Sequence, residues 1–238
     1  MDNNQIEDTL RDVLGVAKAA VALKVWPDEP QGIRKYTGTA FPGMCTQIGE
    51  VLAGGETFYT TRDQHFCTGG VVATGVAPPL SKQEKKEMLE VHFQMSRSYR
   101  DIETALGYEH EMEGLMPRVG RGNAAVQLGP FRKIKEPDLV LLFCTPGAAD
   151  ILSRAYCYVS GEPIRGFGGN GGCPFLIQYP YVAQKPSFSY SDVAWRKYAG
   201  LADEELTMSF PYQCLASLAG SLACVAEQYR RYGEAPEE

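Results

Sequence analysis

The stretch DLVLLFCT, residues 138–145, decides the fold of this chain. From Leu139 to Cys144 every residue is apolar, without the alternation of a strand that has one wet face. A continuous apolar run of this length is typical of a strand that is buried on both faces of a sheet. We therefore predict a central strand here, with further strands and helices on both sides of it in the chain.

Further strands and helices follow from local patterns on both sides of this segment. Apolar and β-branched runs bounded by turn residues predict strands at 20–26, 58–61, 124–131 and 204–212. Helical spacing of apolar residues predicts helices at 4–18, 45–54, 147–159 and 213–232. The stretch LIQYPYVAQ, 176–184, fits either a strand or a helix. There is no repeat and no linker, so we expect one α+β domain over 1–238, with a mixed β-sheet flanked by helices and a loose tail at 233–238.

The strongest helix pattern follows two prolines at 78–79. Ser81 and Glu84 form a capping-box pattern at its start. An apolar stripe at spacings of three and four continues through it, formed by Met88, Val91, Met95, Tyr99 and Ile102. Such a stripe is typical of a helix that packs on a core, and the alternative is a wall of a cofactor site.

Composition excludes several classes of function. The chain has 238 residues, 44% of them hydrophobic, and its 23 Lys and Arg against 29 Asp and Glu give a net charge of −6. An acidic chain without a basic stripe argues against binding of nucleic acid or of an anionic membrane. No apolar run is long enough to cross a bilayer, and the acidic start MDNNQIEDTL lacks the pattern of a signal peptide. We expect a cytoplasmic protein that acts on or binds a small molecule, and a homodimer is compatible with the apolar terminal helix.

Seven cysteines divide into two groups by context. In a reducing compartment they are expected to be thiols or metal ligands. Four lie in strand or helix patterns and are predicted to pack as small apolar residues: Cys144, Cys157, Cys214 and Cys224.

The other three, Cys45, Cys67 and Cys173, each lie beside a turn or a glycine-rich segment. Glycine lets backbone N–H groups approach a bound group, and Gly70 and Gly172 are placed to do so. We expect these donors to lower the thiol pKa values, as a reactive or metal-binding cysteine requires. The spacing matches no zinc or ferredoxin motif, so three unrelated loop cysteines are the alternative to a shared metal site.

Two further side chains are candidates for acid–base or binding roles. His65 precedes Cys67 by two residues and has an ordinary pKa near neutrality, which suits a general acid, a base or a ligand. Arg165 lies in the segment GEPIRGFGGNGGCPF and is a candidate clamp for a carboxylate or phosphate. For each, the alternative is an ordinary loop residue in solvent. The run GFGGNGG lacks the strand and helix that frame a nucleotide fingerprint.

Several segments resemble, in order, the family called domain of unknown function 169, or ArCR. These are AVALKV (20–25), MCTQIGEVLAGGETFY (44–59), HFCTGGVVATG (65–75), EPDLVLLFCTPGAADIL (136–152), GGNGGC (168–173) and SFSYSDVAWRKYAGLADEELTMSFP (187–211). The resemblance spans nearly the whole chain and implies that Cys45, Cys67 and Cys173 are family cysteines. It brings no settled reaction with it, so it implies fold and site more than function.

The last of these segments departs from the family pattern. With Arg196 on the family arginine, Asp192 stands where many members have a fourth cysteine, and Ala194 where they have glycine. The resemblance therefore implies a site of three cysteines and one aspartate. Asp192 then supplies an oxygen ligand or leaves one metal position open. Arg196 orients a substrate or pairs with an acid among 203–205.

Three hypotheses follow for the function. The first is an iron–sulfur metalloprotein with a [4Fe–4S] cluster on the three cysteines and Asp192, carrying out lyase, desulfurase-like or redox chemistry on a small molecule. Zinc and a haem-type cofactor are alternative occupants of this site. The second is a non-catalytic protein that binds a ligand or cofactor in a pocket rich in Tyr and Phe. The third is a metal-free thiol enzyme with Cys67 or Cys173 as nucleophile.

Overall fold

The protein is described by a computed structural model over residues 1–16, 18–38, 41 and 43–232. Its strands are β1 (Val21–Trp26), β2 (Phe58–Thr60), β3 (Ala125–Pro130), β4 (Leu139–Cys144), β5 (Arg165–Phe167), β6 (Ser187–Ser189) and β7 (Leu206–Pro211). Its helices are α1 (Asn3–Leu14), α2 (Met44–Gly54), α3 (Gly69–Ala73), α4 (Lys82–Ser96), α5 (Ile102–Leu115), α6 (Pro146–Ser160), α7 (Tyr179–Ala183), α8 (Val193–Tyr198) and α9 (Leu215–Arg230). A π-helical turn, Pro174–Gln178, runs directly into α7.

The described strands form one sheet in the order β2-β3-β1-β4-β7-β6-β5. Neighbouring strands are antiparallel except for β5 and β6, which are parallel. The sheet is therefore mixed, and with its flanking helices it confirms the predicted α+β class. The segment that opened the sequence analysis is its central strand, β4, between β1 and β7.

Both faces of β4 are buried, which explains its unbroken apolar sequence. Leu139, Leu141 and Phe143 join a cluster with α2, α8 and the π-helical turn on one face of the sheet. The residues between them, Val140 and Leu142 among others, join a second cluster with α1, α6 and α9 on the other face. The sheet thus separates two apolar cores, and the face that carries α2 and α8 also carries the candidate site.

Several helix and strand predictions are corrected by the structure. The stripe from Met88 to Ile102 does not lie on one helix, because α4 ends at Ser96 and α5 begins at Ile102. Arg97, with a φ of 47°, leaves the right-handed helical region between them. The first helix ends at Leu14 rather than at 18, because Gly15 closes it with a left-handed cap. The ambiguous stretch 176–184 is helical, and its main-chain hydrogen bonds pass through a π-helical turn.

The four cysteines predicted to be buried differ in their exposure. Cys144 is buried at the end of β4, as predicted. Cys157 on α6 and Cys224 on α9 are exposed, and Cys214 is half-buried. The prediction was wrong for the exposed pair because each helix buries only one stripe, and these residues lie off that stripe.

Two remaining predictions concern the membrane and the tail. Within the described ranges, no helix combines the length and the apolar character that crossing a bilayer would require. The tail at 233–238 lies outside the described residues, as does the side chain of Met95.

Candidate functional site

A cavity of about 710 Å³ lies on the face of the sheet that carries α2 and α8. Its volume falls in the range of small-molecule sites, roughly 300–1,000 Å³. Three of the seven cysteines and one aspartate contribute to its wall: Cys45, Cys67, Cys173 and Asp192. These are the four side chains that the resemblance placed in one site, and the fold brings them from distant parts of the chain to one cavity.

Each of these four side chains lies at the start of a helical segment. Cys45 is the second residue of α2, and Cys67 precedes α3 by two residues. Cys173 directly precedes the π-helical turn, and Asp192 is the N-cap of α8. The first N–H groups of a helix have no partner within it, so four sets of backbone donors converge on this part of the cavity.

Two glycines allow close approach between α2, which carries Cys45, and the segment of Cys67 and α3. A Cβ on Gly43, just before α2, would lie 2.8 Å from the carbonyl oxygen of Cys67. A Cβ on Gly70, in α3, would lie 2.6 Å from the Cβ of Met44. Real Cβ atoms do not sit at such distances, so the approach depends on glycine at both positions.

Cys67 and Cys173 meet around Gly69. Both of their sulfur atoms lie 3.7 Å from the point that a Cβ on Gly69 would occupy. The backbone N–H of Gly69 acts to lower the pKa of the Cys67 thiol. The start of α3 therefore holds these two thiols side by side.

Asp192 is fixed by two backbone hydrogen bonds, one to each carboxylate oxygen. Oδ1 accepts from the N–H of Trp195 at 2.7 Å, and Oδ2 accepts from the N–H of Gly172 at 2.8 Å. The second bond ties the start of α8 to the loop that carries Cys173. Gly172 is packed tightly here, because a Cβ on it would lie 2.8 Å from Cε3 of Trp195.

The pKa values of the three thiols are raised, which corrects the predicted lowering. Burial raises the pKa of Cys45 to about 12, and the charges of Cys67 and Asp192 add to the effect. Burial also raises the pKa of Cys67, and it raises that of Cys173 well above its ordinary value. Backbone donors to Cys45 and Cys67 act in the opposite direction but are outweighed by burial. Without a bound cation the three thiols are protonated at neutral pH.

The arrangement differs from a preformed site for one ion. Within the described part of the chain, no three His, Cys, Asp or Glu side chains are close enough to one point to hold a metal ion. A single zinc ion requires sulfur atoms at about 2.3 Å from its centre. Cys45, Cys67 and Cys173 line one cavity wall without forming such a preformed single-ion site.

His65 lies in the core rather than in the cavity wall. Its side chain is 4% exposed, and Nε2 is 2.9 Å from Oγ1 of Thr60. Thr60 in turn accepts a hydrogen bond from Gln47, which leaves its hydroxyl hydrogen for His65. Burial lowers the pKa of His65 to about 4, with a smaller effect from Arg62, so the ring is neutral. This placement fits a core histidine.

The two candidate arginines also lie outside the residues that line the cavity. Arg165 is exposed at the sheet edge in β5, with its guanidinium 5.3 Å from the ring centre of Tyr179. Arg196 donates to the carbonyl oxygens of Tyr190, Ala202 and Glu205 and lies 4.0 Å from Asp203. It thus joins the segment before α8 to the loop after it, which matches the pairing alternative rather than substrate binding.

Several lining residues escaped the sequence analysis. Helix α5 was not predicted, although Met112 within it and Met116 just after its end have helical spacing and line the cavity. Met88 and Tyr99 from the predicted stripe line it too, while Val91 of the same stripe is exposed. The stripe therefore contributes in part to a cavity wall. The buried indole of Trp195 also lines the cavity, and its N–H has no hydrogen-bond partner in the part of the chain that the structure describes.

Comparison with known proteins identifies the family. The chain belongs to the uncharacterised ArCR family, DUF169, whose family model matches residues 9–220. It is 24% identical over 231 residues to the uncharacterized protein MJ0308 of Methanocaldococcus jannaschii. The aligned region covers 93% of this chain and 95% of that protein. No solved structure matches the chain significantly. The resemblance in the sequence analysis is thus confirmed, and the cavity described above lies within the matched region.

Proposed function

We propose that this chain is a metalloprotein that binds an iron–sulfur cluster, [4Fe–4S], on Cys45, Cys67 and Cys173. In this proposal Asp192 is the fourth ligand or the group beside an open iron. The observation that carries it is the convergence of three cysteines, from segments 22 and 106 residues apart, on one wall of a large cavity. None of the three forms a disulfide bond; Cys45 is buried and the other two are half-buried, and a positive centre would stabilise their thiolate forms.

Backbone and side-chain donors around the three cysteines support a bound metal–thiolate centre. The backbone N–H of Gly69 acts to lower the pKa of Cys67, and N–H groups near the sulfurs tune the potential of a cluster. The unpartnered indole N–H of Trp195 is a further donor in the wall of the same cavity.

The chain's own residues would have separate roles around this centre. Cys45, Cys67 and Cys173 hold it, while Gly172 and Trp195 fix the carboxylate of Asp192 through their N–H groups. The methionines of α4 and α5 give the cavity an apolar wall that displaces water from a bound molecule. When bound, such a cluster supplies either a Lewis-acidic iron or an electron carrier. In this proposal the reaction takes place on a small molecule bound in the cavity.

The test is metal analysis of the full chain purified without oxygen. We expect a brown protein that contains iron and acid-labile sulfide in equal amounts, and Cys173→Ser to lose both. Cys224→Ser is the matched control, because Cys224 is exposed on α9 and should leave the iron content unchanged. Circular dichroism checks that each variant folds. A colourless chain without iron would overturn the proposal. Zinc bound in a stoichiometric amount would instead support the alternative in which the site holds zinc.

A ligand-binding protein without catalysis is the second candidate, favoured by the size and apolar wall of the cavity. It predicts that a molecule copurifies with the chain and that Cys173→Ala retains it. The metal-free thiol enzyme has less support, because the raised pKa values of Cys67 and Cys173 disfavour a thiolate nucleophile at neutral pH.

A further inference from the structure

The loop that joins α5 to β3 brings two arginines to the cavity. Arg118 and Arg121 line it, and both are exposed. The third cation in the lining, Lys85, forms an ion pair with Glu113. By contrast, neither arginine forms an ion pair or a hydrogen bond with any residue that the structure describes. In a chain with six more acidic than basic residues, two unpaired cations at one cavity mark a place for an external anion.

This loop is held at three points, so the arginines project from a fixed backbone. The carbonyl oxygen of Pro117 accepts a hydrogen bond from Gln178 at 2.9 Å. Asn123 donates to the carbonyl oxygen of Thr74 at 2.7 Å. Between them, a Cβ on Gly75 would overlap the carbonyl oxygen of Gly120, so α3 and the loop are in direct contact. A fixed backbone lowers the entropy that the arginines lose when they bind an anion.

Helix α3 sets the distance between this loop and the cysteines. Its first residue, Gly69, contacts the sulfurs of Cys67 and Cys173, and the loop lies against Gly75 just beyond its last turn. A five-residue helix is about 8 Å long. One small organic molecule can therefore span from the arginines to the cysteines within the cavity.

The wall between these two groups is largely apolar. It includes Met88 and Leu89 from α4, Met112 from α5 and Met116 just after α5. Unbranched methionines adapt to ligands of varied shape. Two carboxylates of α5, Glu109 and Glu113, also line the cavity, and Glu113 is paired with Lys85. The backbone of the arginine loop lies about the length of α3 from the candidate metal site.

We propose that Arg118 and Arg121 bind the anionic group, a carboxylate or a phosphate, of a small organic substrate whose apolar part lies along α4 and α5. This inference rests on the proposed function, which it deepens by naming the class of substrate. It requires only this cavity and these arginines for binding, so it can be tested apart from the metal.

The test compares two fluorescent probes on the full chain. The first is 8-anilinonaphthalene-1-sulfonate, an anion with an apolar body, and the second is the uncharged N-phenyl-1-naphthylamine. We expect Arg118→Gln and Arg121→Gln each to weaken binding of the sulfonate probe by about threefold to tenfold, and to leave binding of the uncharged probe unchanged. Arg230→Gln is the matched control, because Arg230 is exposed on α9 across the sheet. Equal loss of both probes, no loss, or the same loss in the control would overturn the proposal.

Competition identifies the anionic group and separates this proposal from the metal site. Displacement of the sulfonate probe by inorganic phosphate supports a phosphate, and displacement by hexanoate supports a carboxylate. If neither displaces it, the proposal fails. Iron is measured on the same samples. Probe binding that depends on the arginines in a chain without iron would overturn the cluster alone, whereas iron without such binding would overturn the anion site alone.

Discussion

The N–H of Gly172 donates to Oδ2 of Asp192 over 2.8 Å, and this bond joins the Cys173 loop to the start of α8. The other carboxylate oxygen caps the same helix through Trp195. Asp192 is therefore a structural residue of the site as well as a candidate ligand. Its two roles are separable, because asparagine keeps one acceptor oxygen but carries no charge.

We expect Asp192→Ala to lower the free energy of unfolding by about 1 kcal/mol through loss of the cap, with a further decrease from the bond to Gly172. Asp192→Asn should lose less than Asp192→Ala, because its one acceptor oxygen can still cap α8 whereas the bond from Gly172 is lost. Urea denaturation of both variants checks this. Equal losses in the two variants would show that the bond from Gly172 or the charge, rather than the cap, stabilises this region.

Gly70→Ala should destabilise the chain by about 1–3 kcal/mol, because the added Cβ would lie 2.6 Å from the Cβ of Met44. It should also separate α2 from α3, and so reduce bound iron if the cluster proposal holds. Gly114→Ala is the control: Gly114 is helical, with open space around a Cβ. There we expect a gain of about 0.5–1 kcal/mol. Thermal unfolding measures both changes, and a neutral Gly70→Ala would refute the close packing of the two helices.

The buried His65 makes stability depend on pH. Its pKa is about 4 in the folded chain, against 6.5 as the ordinary value, mainly because of burial. The unfolded chain therefore binds a proton that the folded chain resists. This contribution to stability is complete above about pH 6.5 and is lost as the pH falls toward 4, on the order of 3 kcal/mol in all.

His65→Gln should remove this part of the acid sensitivity. His110→Gln, at an exposed position of α5, should retain it. Denaturation of the three proteins from about pH 7 to about pH 5 provides the comparison. Parallel pH profiles for wild type and His65→Gln would contradict the burial of a neutral ring.

In metal-free protein, mild alkylation should modify Cys157 and Cys224 first, because both are exposed. Cys45 should react slowly, since it is 8% exposed and burial raises its pKa to about 12. Mass spectrometry after treatment with a chelator and iodoacetamide gives the order. Preferential labelling of Cys67 or Cys173 would instead favour the thiol-enzyme hypothesis.

The predicted parts of the fold are those with a strong local signal. The apolar run of β4 and the periodic helices α6 and α9 were located to within about three residues of their observed ends. Strands β5 and β6 were missed because RGF and SFS contain few strand-forming residues, whereas the equally short β2, FYT, consists of them. The break between α4 and α5 was missed because the apolar stripe runs on through Tyr99 at helical spacing, although the backbone leaves the helix at Arg97.

Four of the predicted site residues, Cys45, Cys67, Cys173 and Asp192, line one cavity, whereas His65, Arg165 and Arg196 lie outside its lining. Glycines beside Cys67 and Cys173 indicated a close approach of backbone, and the structure has that approach at Gly69 and Gly172. The sign of the thiol pKa shifts was wrong, because local glycines show donors whereas burial depends on the whole fold. No sequence motif marked Arg118 and Arg121 as residues of the cavity.

The helix starts that surround the cavity also set the order of its assembly. Cys45 and Cys67 emerge early in synthesis, but their wall is completed by the Cys173 loop and by Asp192, which come near the end of the chain. Contacts of such long sequence separation form late in folding, since a large loop must close first. The four candidate ligands of an inorganic centre are therefore present together only after translation has passed Asp192.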